Sequence, residues 1–153
     1  MEIAAIRTFC FVAFLTGCQV RQPSYLNARK AGETVQLCLS NKRTCPQQNG
    51  VRPSSISVYR YDSPGKNEIV WDAEPESITD ERIDGIITYG IPPKNWRNKI
   101  APPALVCGKA YLVNPGANFF ALKCDGTVIV FDFQHLQEFF DQAAGPRPSN
   151  KPL

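Results

Sequence analysis

Proline and glycine are so frequent in this chain that many turns and few long helices are expected. Among 153 residues there are 13 prolines and 10 glycines but a single methionine. Such residues mark turns and interrupt helices, so the chain must fold from short elements. Seven short runs have the β-branched, aromatic or alternating character of strands. They are residues 34–40, 55–61, 68–71, 86–91, 109–113, 119–124 and 127–133.

Turn signals separate these runs and favour antiparallel pairing. Asn114-Pro115-Gly116 predicts a turn, and Asp125-Gly126 is a strong hairpin signal. We therefore predict an all-β fold, an immunoglobulin-like antiparallel β-sandwich of about seven strands. A short C-terminal helix is expected over residues 135–141, where Leu136, Phe139 and Phe140 would share one face.

The N-terminus has the order of a lipoprotein export signal. Arg7 precedes an apolar stretch, residues 9–15, which is too short to span a bilayer as a helix. Residues 15–18 then read Leu-Thr-Gly-Cys, the pattern of a bacterial lipobox. Cleavage between Gly17 and Cys18 would leave Cys18 to carry acyl chains such as palmitate. The alternative is an ordinary secretory signal followed by an unrelated cysteine.

The residue after Cys18 is Gln19 rather than aspartate, which resembles the pattern sorted to the outer membrane. We expect a protein anchored by lipid at the periplasmic face of that membrane. The predicted organisation is a signal peptide (1–17), a lipidated cysteine and tether (18–32), a β-sandwich (33–134), and a short helix with a loose tail (135–153). The tether could also be in part an edge strand.

Four cysteines remain beyond the signal and Cys18. They are Cys38, Cys45, Cys107 and Cys124. An even number in an exported domain predicts two disulfides. We favour Cys38–Cys45 with Cys107–Cys124, the latter at the ends of consecutive strands, while the crossed pairings stay open. A zinc site is the competing interpretation, but the spacings lack a C-x-x-C pair.

Catalysis and nucleic-acid binding are both disfavoured. The chain has one histidine, no G-x-S-x-G motif and no glycine-rich phosphate loop. That histidine, His135, is expected on the polar side of the terminal helix. We predict no enzyme activity, no cofactor and no metal. The net charge is only +3, which is too balanced for a dedicated nucleic-acid binder, where a concentrated basic stripe is expected.

Two segments are candidate protein-binding surfaces. The first is acidic, residues 72–84, and includes Asp80 and Glu81. It could be a solvated connector, a recognition patch for a basic partner, or a pair of carboxylates for acid–base work. The second is basic and aromatic, residues 92–99, and contains Lys94, Trp96 and Arg97 between proline pairs. It could present Trp96 as a rigid anchor, or Trp96 could fold back to cap the sandwich.

The chain also resembles a known group of proteins. Besides the lipobox, the matching stretches are residues 35–39, 55–59, 69–71, 87–90 with 92–96, and 107–113. Together they are similar to small bacterial periplasmic lipoproteins described as type VI secretion immunity lipoproteins. The likeness implies a β-sandwich that guards against a toxic effector, and it implies no catalytic residues. Residues 52–59 are also similar to the early strand of the lipoprotein family that anchors the type VI secretion membrane complex.

We therefore expect a non-enzymatic, lipid-anchored and disulfide-stapled sandwich that binds a protein. An immunity protein would occlude its effector with a few anchors, either Trp96 and Arg97 or the acidic segment. The alternative is a structural envelope lipoprotein that docks to a secretion or cell-wall complex.

Overall fold

The computed structural model describes residues 25–40, 53–77, 86–116 and 118–144. Within these ranges the chain forms nine strands followed by one helix. The strands are β1 (Tyr25–Ala31), β2 (Thr34–Ser40), β3 (Ile56–Ser63), β4 (Lys66–Pro75), β5 (Ile86–Thr88), β6 (Trp96–Ile100), β7 (Ala110–Asn114), β8 (Asn118–Leu122) and β9 (Val128–Asp132). A 3₁₀ turn, Phe133–His135, leads into helix α1, Leu136–Ala143.

The strands form two antiparallel sheets, which confirms the predicted all-β sandwich. The smaller sheet has the order β1-β2-β5, and the larger has the order β6-β4-β3-β7-β8-β9. The β3–β4 and β8–β9 pairs are hairpins with Ser63↔Lys66 and Leu122↔Val128 as their last partners. Hairpins of this kind need little chain between strands, which matches the short runs of the sequence.

The main core lies between the two sheets. Alternate side chains of β2 (Val35, Leu37 and Leu39) face Ile56 and Val58 of β3 and the buried Trp71 of β4. These three side chains share one face of β2, while Cys38 and Ser40 on the other face are buried as well. Trp71 and Tyr89 meet edge to face with ring centroids 5.4 Å apart.

A second cluster covers the outer face of the larger sheet. Leu136 of α1 packs with Ala110 and Phe119, and Phe139 stacks on Phe131 with centroids 5.1 Å apart. The predicted helix is therefore present, with its apolar face toward the sheet as its spacing indicated. The larger sheet is covered on both faces over β7–β9, by the smaller sheet and by α1.

Two segments expected as connections are strands. The segment predicted as a tether contains β1, which lies at the edge of the smaller sheet and pairs with β2 along its whole length. The sandwich therefore begins no later than Tyr25 rather than at residue 33. The basic and aromatic segment contains β6, which pairs with β4 at the edge of the larger sheet. With β1 and β6 the described part of the chain has nine strands, two more than the seven runs of the sequence.

Candidate functional site

The acidic and basic segments, expected as separate partner surfaces, meet each other where the structure describes them. The antiparallel register of β4 and β6 places Glu74 opposite Arg97. Arg97 donates from Nη2 to Glu74 Oε1 at 2.7 Å and from Nε at 3.2 Å. Lys99 Nζ lies 3.5 Å from Glu74 Oε2 and 3.7 Å from Asp72 Oδ2. We call these four residues the charged ladder.

The opposite charges of the charged ladder compensate one another. The hydrogen bond from Arg97 lowers the pKa of the Glu74 carboxyl, and the positive charge of Lys99 acts in the same direction. Asp72 also accepts a 2.8 Å hydrogen bond from the hydroxyl of Ser57 on β3. These carboxylates and cations are therefore already paired within the chain, and a partner would have to replace existing contacts.

Trp96 is not the exposed anchor that the sequence allowed. It is the first residue of β6, is 8% exposed and belongs to the main core. The alternation of the strand explains this placement, because Trp96 lies on the opposite face of β6 from Arg97 and Lys99. Asn98 shares the face of Trp96 but is exposed. Asn98 accepts a 2.8 Å hydrogen bond from the indole nitrogen of the buried Trp71. The capping interpretation of Trp96 is therefore the one that the structure supports.

Some of the other predicted site residues lie in the described part of the chain and others lie outside it. Lys94 is exposed just before β6, and Arg97 is exposed but engaged in the charged ladder. Asp80, Glu81, Gly17, Cys18 and Cys45 lie outside the described residues, so their predicted roles stay predictions.

The favoured disulfide Cys107–Cys124 is present, with a Cα–Cα distance of 4.9 Å. It joins the segment before β7 to the segment after β8, as expected for the ends of consecutive strands. Cys38 on β2 is also disulfide-bonded, and its favoured partner, Cys45, lies outside the described residues. The Cys107–Cys124 bond excludes the two crossed pairings of the four cysteines.

The segment between β6 and this disulfide, residues 101–106, crosses one end of the sandwich, and we call it the strap. Two buried tyrosines hold it, one next to each sheet. The Tyr89 hydroxyl, just after β5, donates to the carbonyl oxygen of Pro103 at 3.2 Å. The Tyr111 hydroxyl on β7 accepts from the amide of Val106 at 2.8 Å and contacts the Val106 carbonyl at 3.3 Å.

The chemistry of these tyrosines suits a permanent clamp. Burial raises the pKa of both phenols, so both stay protonated donors at neutral pH. The side chain of Leu105 packs against the main core from the strap. Prolines at positions 102 and 103 fix two backbone angles. The strap is therefore held at its centre by Tyr89 and at its end by Tyr111 and the neighbouring disulfide.

The outward side of the strap is apolar. Residues 100–106 contain no charged side chain, and Ala101, Pro103 and Ala104 are exposed. Val106 is 44% exposed, and Ile91, which follows Gly90 beside the strap, is 63% exposed. We call these residues, together with Ile100, the strap surface. Groups of exposed apolar residues mark interaction sites more often than single ones do.

One ion pair lies just beyond the strap. Lys109 Nζ lies 3.1 Å from Asp62 Oδ1, and the hydrogen bond from Lys109 lowers the pKa of the Asp62 carboxyl. A cavity of about 300 Å³ separates the strap from the β1–β2 turn, with Lys30, Glu33 and Tyr89 among its lining residues.

Sequence reasoning missed the strap surface. The signal that could have found it is the uncharged run of residues 100–106, which was read only as the end of the basic segment.

The histidine, His135, is paired with a neighbouring carboxylate. His135 Nδ1 lies 2.6 Å from Asp132 Oδ1, and Asp132 also accepts from the amides of Gln134 and His135 at the start of the 3₁₀ turn. This is the geometry of a helix cap. Among the described residues, no group of three or more His, Cys, Asp or Glu side chains is placed to hold a metal ion.

Comparison with protein-family models, curated proteins and solved structures gave no match. In the part of the chain that the structure describes, no helix has the length and apolar character to cross a bilayer.

Proposed function

We propose that the protein is a lipid-anchored protein at the periplasmic face of the outer membrane, where it acts by binding another protein. Its more specific role would be that of an immunity protein that occludes a secreted toxic effector. The lipobox at residues 15–18 and Gln19 support the address. The disulfide-bonded state of Cys38, Cys107 and Cys124 supports it too, because disulfides persist in oxidising compartments such as the periplasm.

The strap surface is the observation that carries the binding role. It is apolar, exposed and clamped by two tyrosines and a disulfide before any partner arrives. A preorganised surface loses little conformational entropy on association, so more of the contact energy appears as affinity. Exposed apolar residues on a rigid backbone are typical of the centre of a protein–protein interface.

Occlusion needs no chemistry from this chain. Val106 and Ile91 would enter an apolar depression of the effector, and the rest of the sandwich would prevent substrate from reaching the effector's active site. The charged ladder would lie outside this contact and contribute little, because its charges are already paired.

The binding role is tested with full-length chain carrying a C-terminal tag, crosslinked in its native bacterium and purified from the membrane fraction. The parent is compared with Val106→Asp, which places a charge on the strap surface, and with Arg97→Glu, a charge change on the ladder. We expect one small exported protein to be recovered with the parent and with Arg97→Glu, and to be lost with Val106→Asp. Co-expression of that protein in the periplasm should be toxic unless the parent chain is present.

Other outcomes would change the proposal. Recovery of secretion-machinery or cell-wall proteins would favour a structural envelope lipoprotein. A partner lost with Arg97→Glu but retained with Val106→Asp would move the site to the charged ladder. The address is tested separately by metabolic labelling with palmitate, which Cys18→Ala should abolish, and label retained in that variant would contradict the anchor.

A further inference from the structure

Different residues lie at the two ends of the sandwich. The cavity beside the strap brings together Lys30 and Thr34 of the β1–β2 hairpin, strap residues, and Leu122 at the end of β8. These residues mark the strap end. The far end of the same strands carries Tyr25, which pairs with Ser40, and Asn118, which pairs with Asp132. We call this the tether end, because β1 begins there.

The chain before β1 limits how far Cys18 can lie from the tether end. The seven steps of chain from Cys18 to Tyr25 span at most about 24 Å when fully extended. β1 has seven residues, so about 20 Å separates the tether end from the strap end. Because the chain enters β1 at the tether end, the region that Cys18 can reach is centred on that end.

Phe133 is the largest exposed apolar side chain near this point. It follows β9 directly at the tether end and is 69% exposed. Its ring contacts the buried Phe119 only at a centroid distance of 6.1 Å. β9 also runs beside β1 across the two sheets. The two ionisable residues next to Phe133 in the sequence, Asp132 and His135, pair with each other.

We propose that the tether end faces the membrane, with the Phe133 side chain in the lipid interface and the strap surface directed away from the bilayer. This inference rests on the proposed lipid anchor. Aromatic side chains gain free energy at the boundary between headgroups and acyl chains. A chain already held by acyl groups loses little further entropy when one side chain enters that boundary, so even one phenylalanine favours one orientation over the other.

The edge positions of the strands agree with this arrangement. β9 and β6 are the opposite edges of the larger sheet, about 24 Å apart across five strand spacings. The charged ladder at β6 is therefore at the far side from Phe133 and β1. The charges of Arg97, Lys99 and Glu74 need not enter the lipid interface when Phe133 does.

Lipid contact is tested with the full lipidated chain reconstituted into vesicles of phosphatidylethanolamine and phosphatidylglycerol, with and without brominated acyl chains. Phe133→Trp and Val106→Trp place a fluorophore at the tether end and on the strap surface. Each is read as a difference from the parent, whose Trp71 and Trp96 are buried. We expect brominated lipid to quench the added emission of Phe133→Trp and to leave that of Val106→Trp unchanged.

Quenching of neither variant, with the chain still bound to vesicles, would overturn the proposed orientation and leave the anchor intact. Quenching of Val106→Trp alone would reverse the orientation, and equal quenching of both would show that the chain has none. If Cys18→Ala binds the vesicles as well as the parent does, or the parent does not bind, the lipid anchor itself fails.

Discussion

Gly90 is the residue at which the segment after β5 touches the strap. Its φ of +85° is accessible to glycine with little cost. A Cβ atom added there would lie 2.9 Å from Pro102 Cγ, too close for an ordinary contact. The absence of a side chain at this position therefore allows the strap to sit against Tyr89 and its neighbours.

Gly90→Ala should destabilise the protein more than Gly65→Ala does. Gly65 has a similar φ of +83°, but nothing lies within 4 Å of its added Cβ. Gly65→Ala should cost about 1 kcal/mol for the left-handed backbone alone. Gly90→Ala should cost about 1–3 kcal/mol more, because the contact with Pro102 must also yield. Urea unfolding of both variants measures the difference, and equal losses would show that the strap does not depend on Gly90.

Because Asp132 and His135 are paired at the turn before α1, we expect the stability of the protein to depend on pH through this pair. The hydrogen bond that His135 donates to Asp132 raises the pKa of His135 above 6.5, and the same bond lowers the pKa of Asp132 below 3.8. The histidine contribution is fully present below pH 6.5 and is lost as pH rises through its folded pKa. The carboxylate contribution is present above pH 3.8 and is lost as pH falls through its folded pKa.

Both contributions are therefore present together in mildly acidic solution. Because the chain has one histidine, its ring signals in NMR report His135 without overlap. Asp132→Asn should lower the midpoint of that titration, and the stability difference from the parent should be larger at mildly acidic pH than at alkaline pH. An unchanged midpoint would mean that the two side chains are not paired in solution.

The strap is the element whose shape depends most on a covalent bond. The Cys107–Cys124 disulfide closes a loop with a sequence separation of 17 and lies next to the strap. Replacing both cysteines by serine should cost about 3 kcal/mol in the free energy of unfolding. Hydrogen exchange at the Val106 amide should also become faster, because Tyr111 alone would then hold that end. Unchanged exchange there would show that the tyrosine clamp is sufficient.

The elements differ in how far the sequence predicts them. β2 was predicted with its observed bounds because Val35, Leu37 and Leu39 alternate with polar residues. β1 has few apolar side chains and was read mainly as a tether, since only Leu26 is fully buried among its residues. β6 was missed because four of its five side chains are exposed. Pairing with β4 satisfies the backbone hydrogen bonds of β6 on one side. Pairing between segments far apart in the sequence leaves no local pattern in residues 96–100.

The candidate site was harder to predict than the fold. Trp96 and Arg97 belong to residue types that are enriched at binding hot spots, but residue type does not show which face of a strand they occupy. The strap surface depends on Tyr89 and Tyr111, which approach residues 101–106 from two different sheets. That clamp exists only in the folded chain, so only the uncharged run itself was visible in the sequence.

At the scale of the whole molecule, the larger sheet is the central layer over β7–β9. Its inner face packs on the smaller sheet, and its outer face packs on α1 through a separate cluster. α1 is short and would be only marginally stable alone, so its contacts with Phe119 and Phe131 must hold it in place. The outer cluster in turn would expose its aromatic rings without the helix.

Leu136→Ala should therefore destabilise the whole molecule, while Phe133→Ala should not. Leu136 is 3% exposed and packs on Ala110 and Phe119, so its truncation should cost about 2–5 kcal/mol. Phe133 is only three residues away but is exposed, so Phe133→Ala should change the free energy of unfolding by about 0.5 kcal/mol or less. Urea unfolding of the two variants without lipid makes the comparison. A large loss for Phe133→Ala would mean that its ring stabilises the fold and is not free to contact a membrane, whereas a small loss for Leu136→Ala would mean that α1 is not needed to cover the sheet.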